Sequence, residues 1–170
     1  MREQGFSLIE LLMGLAIVGI VLHLVSPAYA AVLESNHREE AARSLASGLR
    51  SARSEAISRG QVVVIHAMND DWSQGWRIIL DISGKGHEDP GNPLLFERHS
   101  RIGVAIFGNR NVKTAIRFGP LGEPVSGGFQ AGTLHVCAAR EAQSQHQVVL
   151  ASNGRISLRS EKTTQALCAT

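Results

Sequence analysis

The chain has 170 residues, with 17 lysines and arginines against 15 aspartates and glutamates and a formal net charge of +2. That length holds one domain and an appendage, and the ordinary composition, free of internal repeats and low-complexity tracts, excludes a repeat array and a disordered chain. The average hides two pieces: residues 6–33 hold only two side chains that ionise near neutral pH, Glu10 and His23, whereas 34–170 carry nearly all the charge. Such a division predicts a membrane anchor followed by a soluble head.

Residues 5–25 read GFSLIELLMGLAIVGIVLHLV. At about 1.5 Å per residue this run is long enough to cross a bilayer. A secretory signal peptide is the competing reading, with SPAYAA at 26–31 as its cleavage site, but the leader MREQG is short and barely charged. Helix formers then continue to Gly60, a plausible stop. Ala42, Leu45, Leu49, Ala52 and Ala56 recur at alternating steps of three and four, which is one narrow apolar face on a helix. Pro27 is predicted to kink or loosen the helix, and Gly14 and Gly19 weaken it further. The reading is one discontinuous helix over 6–59, all apolar at first and then amphipathic, with its second half packed on a sheet.

The remainder reads as β structure. Residues 61–67 are β-branched and compact, and a strand at 76–81 follows a polar turn at 69–75. DISGKGHEDPGNP at 81–93 is loop by composition. Short strands are predicted at 94–98, 103–107, 115–118, 133–137, 147–151 and 155–158, with Asn153-Gly154 as a hairpin turn between the last two. One long helix followed by many short strands predicts an α+β head of antiparallel sheet.

The side-chain inventory argues against an enzyme. His23, His37, His66, His87, His99, His135 and His146 share no ligand spacing, and His135 with Cys137 on one strand is a weak metal signal. Asp81, Ser83 and Lys85 faintly echo a calcium loop, but lysine stands where an oxygen ligand is needed. There is no nucleophile elbow, phosphate loop or catalytic carboxylate pair, so no cofactor is expected. Trp72 and Trp76 carry two readings, a binding surface or, the one expected, anchors of a loop and a strand on the core. Cys137 and Cys168 are the only cysteines. In a head carried across the membrane the even count suggests a disulfide tying the tail to a strand. By chain entropy that bridge contributes about 3–4 kcal/mol.

Two stretches carry a resemblance. GFSLIELL resembles the class III signal of type IV pilins, in which a short leader ends in glycine and the mature chain starts with phenylalanine and has glutamate as its fifth residue. Here these are Gly5, Phe6 and Glu10. ARSEAISRGQVVVIHA and DWSQGWRIILD, within 52–81, look like the FimT/FimU and GspH group of minor pilins and pseudopilins, and LHVCAAR and VVLASNGRISL look most like FimU and FimT. The resemblance implies a leader at 1–5, a transmembrane and polymerisation helix at 6–30 and a pilin head at 31–170. It also implies cleavage between Gly5 and Phe6 by a prepilin peptidase and N-methylation of Phe6. Glu10 would pair with the free amine of a neighbouring subunit's first residue, an arrangement less costly in a low-dielectric bundle than an isolated charge.

The implied protein is a non-enzymatic minor pilin of the inner membrane, single-pass with a periplasmic head. It would contact lipid and the inner-membrane assembly platform, join other minor and major pilins near the filament tip, and help start pilus assembly. Two alternatives stay open: a DNA-binding tip pilin and a GspH-like pseudopilin of type II secretion. For the first, the FimT branch associates a Gly-Arg-x-Arg element with DNA. Here Gly154 and Arg155 match and Ser157 does not. Arg159 shares a strand face with Arg155, and Arg140 and Lys162 lie nearby in sequence.

Overall fold

The structure is a computed structural model that describes residues 8–100, 103–126, 128–129, 131–138, 143–164 and 167–168; the side chains of 24–28, 126, 128 and 129 are outside the described set. It is α+β: one long N-terminal helix, α1 (Leu8–Arg59), and antiparallel sheets after it. α1 passes through Pro27 without a break, so the predicted discontinuity is absent. A helical proline removes one backbone donor, and the neighbouring hydrogen bonds carry the helix past it.

The chain forms two compact units, Met1–Asn36 and His37–Thr170. In the first, the large apolar side chains from Leu8 to Leu22 are each 51–76% exposed. The predicted transmembrane first half is not shown: among the described residues no helix is long and apolar enough to cross a membrane. The described side chains of the apolar run end at His23, and those of residues 24–28 lie outside the described set. In the second unit the predicted narrow face is fully buried, with Ala42, Leu45, Leu49, Ala52 and Ala56 all at 0% exposure. Small residues let helix and sheet approach closely. A Cβ added at Gly48 would stand 2.5 Å from Nε1 of Trp76.

The first sheet has the order β3-β2-β1-β5, built from β1 (Val63–Met68), β2 (Asp71–Leu80), β3 (Leu94–His99) and β5 (Ala115–Phe118). The second has the order β10-β9-β8-β4, built from β4 (Ile106–Gly108), β8 (Gly132–Cys137), β9 (Ser144–Leu150) and β10 (Ile156–Arg159). β6 (Val125–Ser126) and β7 (Gly128–Phe129) form a small hairpin, which a segment without alternation gave no reason to expect. The polar turn predicted at 69–75 is only Asn69-Asp70. Both have positive φ, 49° and 61°, the conformation a two-residue hairpin turn requires, so β2 starts at Asp71. Trp72 and Trp76, expected on the core, are 1% and 4% exposed. The Trp72 indole donates to the carbonyls of Val112 and Lys113 at 3.2 and 2.9 Å.

The loop 81–93 is held from inside. Asp81 pairs with Arg117, and its Oδ1 accepts from the Gly86 N–H at 2.9 Å and from Asn92 Nδ2 at 3.3 Å. Asn92 in turn accepts from the Ile82 N–H at 3.0 Å and donates to the Gly86 carbonyl at 2.8 Å. The carboxylate that echoed a calcium ligand is therefore committed to a guanidinium and two amides. His87 stacks on His66 with ring centroids 4.9 Å apart.

Candidate functional site

The processing and assembly residues are only partly in view. Gly5 and Phe6 lie outside the described residues. Glu10 is exposed, near the start of the described part of α1.

The candidate basic site is on the outer face of the second sheet. Leu134, Val148 and Ile156 point into the core. By strand alternation, the cross-strand row His135–Gln147–Arg159 and the row Thr133–Val149–Ser157 face outward. The C-terminal tail folds back over these rows. The Thr163 N–H donates to the Ser144 carbonyl at 3.0 Å, and the Ser144 N–H donates to Thr163 Oγ1 at 3.1 Å. Gln147 Nε2 donates to the Glu161 carbonyl at 2.8 Å. The predicted disulfide closes the arch: Cys137 bridges to Cys168, with Cα atoms 5.9 Å apart. That bond also occupies the sulfur that had paired with His135 as a weak metal signal.

Between tail and sheet lies a cavity of about 400 Å³, lined among others by Thr133, His135, Gln147, Arg159, Lys162 and Thr164. Its chemistry is hydroxyls, an amide and two cations, beside Glu161. Burial pushes the pKa of His135 down, and its Nδ1 is buried without a hydrogen-bond partner. His135 is therefore neutral at neutral pH and adds no charge. The positive character of the cavity rests on Arg159 and Lys162.

Arg155 stands apart from that cavity. It follows the tight turn at 151–155, where the Gly154 N–H donates to the Ala151 carbonyl and the Arg155 N–H to Asn153 Oδ1, at 2.9 and 3.1 Å. This is the hairpin that Asn153-Gly154 predicts. Four residues of strand separate Arg155 from Arg159, about 13 Å. The structure thus brings Arg159 and Lys162 to one cavity and leaves Arg155 at the far end of the same strand face. Arg140 lies outside the described residues.

Two arginines that the sequence gave no reason to single out fix this hairpin and the neighbouring turn at 119–122 to the helix. Arg53 Nε donates to the Gly122 carbonyl at 2.8 Å, and Arg50 reaches the Ile156 carbonyl at 3.4 Å. A Cβ at Gly154 would come within 2.9 Å of Arg53 Nε, so glycine there serves packing as well as its positive φ of 78°. On a helix, arginines beside the apolar face read as solvent-facing; only the returning turns show their targets.

Comparison with known proteins gives consistent matches. The family described as Type II transport protein GspH matches residues 41–154, and the prokaryotic N-terminal methylation motif matches residues 1–26. The pilin-like protein PilA1 of Thermus thermophilus is 34% identical over 113 residues, covering 65% of this chain and 64% of that protein. The chain thus spans just under two thirds of the length of that curated relative. Two crystal forms of the type IV minor pilin FimU from Pseudomonas aeruginosa superpose with TM-scores of 0.63 and 0.60 at 23% and 22% identity. They cover 78% and 75% of this chain, and 97% and 98% of the FimU chains. At that identity the likeness shows a shared fold.

Proposed function

This chain belongs to the GspH family and is a pilin of the FimT/FimU/GspH type, and from that premise we propose that it is a minor pilin that joins a tip or priming complex and helps initiate type IV pilus assembly. The observation that carries the reading is a methylation motif at 1–26 ahead of a GspH head at 41–154, with the FimU fold in support. Pilins act by assembling with other pilins, and the proposed role is structural rather than enzymatic. In this reading residues 1–5 are a leader, 6–30 anchor the chain in the inner membrane, and 31–170 form a periplasmic head. Prepilin peptidase cuts after Gly5, Phe6 is N-methylated, and Glu10 draws the subunit from lipid into the filament. The assembly platform and major pilins are the remaining partners.

The test is a deletion strain scored together for surface pili, DNA uptake and enzyme secretion. Loss of pili with secretion intact supports the proposal. Loss of secretion alone supports the pseudopilin reading, which the description of the matching family favours. Gly5→Val should accumulate uncleaved precursor, and a mature chain beginning at Phe6 in that variant would remove the cleavage assignment. Glu10→Ala should still be cleaved but enter filaments poorly.

A second reading, DNA capture at the tip, draws support from Arg155 and Arg159 on one strand face and from Lys162 beside Arg159. Phosphate contacts of this kind are insensitive to sequence and weaken with salt. Replacing Arg155 and Arg159 by glutamine should reduce DNA binding and flatten its salt dependence by roughly two units of slope. Unchanged binding would move the site elsewhere.

A further inference from the structure

The second unit leaves part of its own core uncovered along β3. β3 is the outer strand of its sheet, and among the described residues its outward backbone groups have no hydrogen-bond partner. The pairing of Ile78 with Phe96 and of Trp76 with Arg98 puts Phe96 and Arg98 on the helix-facing side of the strand. A phenylalanine on that side is expected to be buried, yet Phe96 is 51% exposed. The cause is on α1, which presents Ser47, Gly48 and Ser51 there, residues too short to cover it. What remains is a hollow of about 270 Å³ between α1 and β3, walled by those small residues and Phe96, with Trp76 and Ile78 beneath.

Two further observations show that the hollow is chemically incomplete. Trp76 is 4% exposed and its indole N–H has no hydrogen-bond partner; neither has the Ser44 hydroxyl, and both residues line the hollow. Buried polar groups without partners are rare in a finished core. At the end of the hollow the Arg98 guanidinium lies 5.8 Å from the Trp76 ring centroid and pairs with no carboxylate among the described residues. Two acids beside it are engaged, Glu97 with Arg77 and His99 and Glu55 with Arg59, and Glu40, which lines the neighbouring hollow with Arg98, forms no ion pair with it.

We propose that this groove receives an extended segment of a partner protein, which adds to β3 as a fifth strand and places an apolar side chain over Phe96 and, two residues along, a carboxylate on Arg98. A free strand edge is satisfied only by another extended backbone. Side chains of that backbone repeat on one face every second residue, as Phe96 and Arg98 do. Cross-strand pairing then selects apolar against Phe96 and acidic against Arg98. The small residues of α1 leave the width that the added strand occupies. This inference goes beyond the pilin reading and holds for a pilus or a secretion filament alike.

The test uses the full chain in detergent micelles and a fluorescein-labelled peptide in which threonine alternates with aspartate, leucine and valine in that order, the aspartate two residues before the leucine as an antiparallel fifth strand requires. Fluorescence anisotropy should show saturable binding. Ser51→Trp, a change at an exposed position that fills the groove, should abolish it. Arg98→Gln should weaken the aspartate peptide about tenfold while leaving its asparagine analogue unchanged. N-methylation of the pairing amides of the peptide should abolish binding to the unmodified protein, independently of any variant's folding. The proposal is overturned if no binding is seen, or if the N-methylated peptide or the Ser51→Trp protein binds as well as the originals. It is also overturned if the chain self-associates through this groove in a Ser51→Trp-sensitive way without taking the peptide, which would make the occupant a second copy.

Discussion

The two halves of α1 share a helical backbone and differ in everything that surrounds it. From Leu8 to Leu22 the side chains are large and apolar, and all of them stay more than half exposed. From Ala42 to Ala56 the apolar face consists of three small alanines and two leucines, and it is wholly buried. Hydrophobicity and burial within the chain therefore run in opposite directions. A helix that is apolar all round has no preferred face to turn to a sheet. A narrow face of small residues lets one helix sit flush on one sheet. The second unit thus buries its helix face against its own sheet, apart from the gap along β3, whereas the first keeps its large apolar side chains exposed.

The sharpest way to break this contrast is a charge in each half. Leu45→Asp places an unpaired carboxylate in a site at 0% exposure and should prevent cooperative folding of the head, a loss of more than about 4 kcal/mol. Leu15→Asp should leave the head's unfolding midpoint unchanged and, under the anchor proposed for 6–30, impair retention in the membrane. Chemical denaturation of both variants, followed by fluorescence of Trp72 and Trp76, reads the difference; equal midpoints would erase the distinction between the halves.

Removing the Cys137–Cys168 bridge tests how far the tail stabilises the second unit. Cys168→Ser should lower head stability by about 3 kcal/mol through the freed loop, with helix content of the first half unaffected. Peptide mapping without reductant should recover the linked pair from unmodified protein, and two free thiols there would refute the link. A smaller effect, about 1–3 kcal/mol, is expected for Gly48→Ala, because the new Cβ would press on the Trp76 ring. An unchanged melting curve would mean that helix and sheet are less closely apposed than the structure has them.

The smallest expected effect is on pH. His66, His135 and His146 all have lowered pKa values, in each case chiefly through burial; the cations Arg77 near His66 and Arg38 and Arg43 near His146 lower them further, while the Ala67 carbonyl and Asp70 act upward on His66 and Glu39 on His146. Folded, these histidines stay neutral where the unfolded chain has begun to bind protons. Their contribution to head stability is therefore full above the unfolded value of 6.5 and is lost as pH falls through it toward the lowered folded values. Urea midpoints compared at about pH 7.5 and about pH 5.5 should differ in that direction, and His135→Gln should reduce the difference. A higher midpoint in acid would reverse the sign and reject the assignment.

The legible parts of this protein were those written in short-range chemistry. The 3-4 recurrence from Ala42 to Ala56 marked the buried face because helical periodicity maps sequence directly onto a surface. Asn153-Gly154 marked a turn because few residues accept its backbone angles. The parity of two cysteines suggested their bond. Asn69-Asp70 misled because polar residues suggest a long loop, whereas positive φ at both compressed the turn and extended β2 to Asp71.

By itself the sequence determined the α+β order of elements, the apolar and amphipathic halves of α1, the face the second half buries and the pilin signature around Gly5, Phe6 and Glu10. Each depends on residue type and spacing along the chain. Only the tertiary structure decided that Arg159 and Lys162 share a cavity while Arg155 does not, that Arg53 is spent on the Gly122 carbonyl, and that Phe96 stays half exposed on the core side of an edge strand. These facts depend on which strand lies outermost and on where the tail and turns return. Such long-range pairings are set by the global packing of two sheets and one helix, and no local window of sequence contains them.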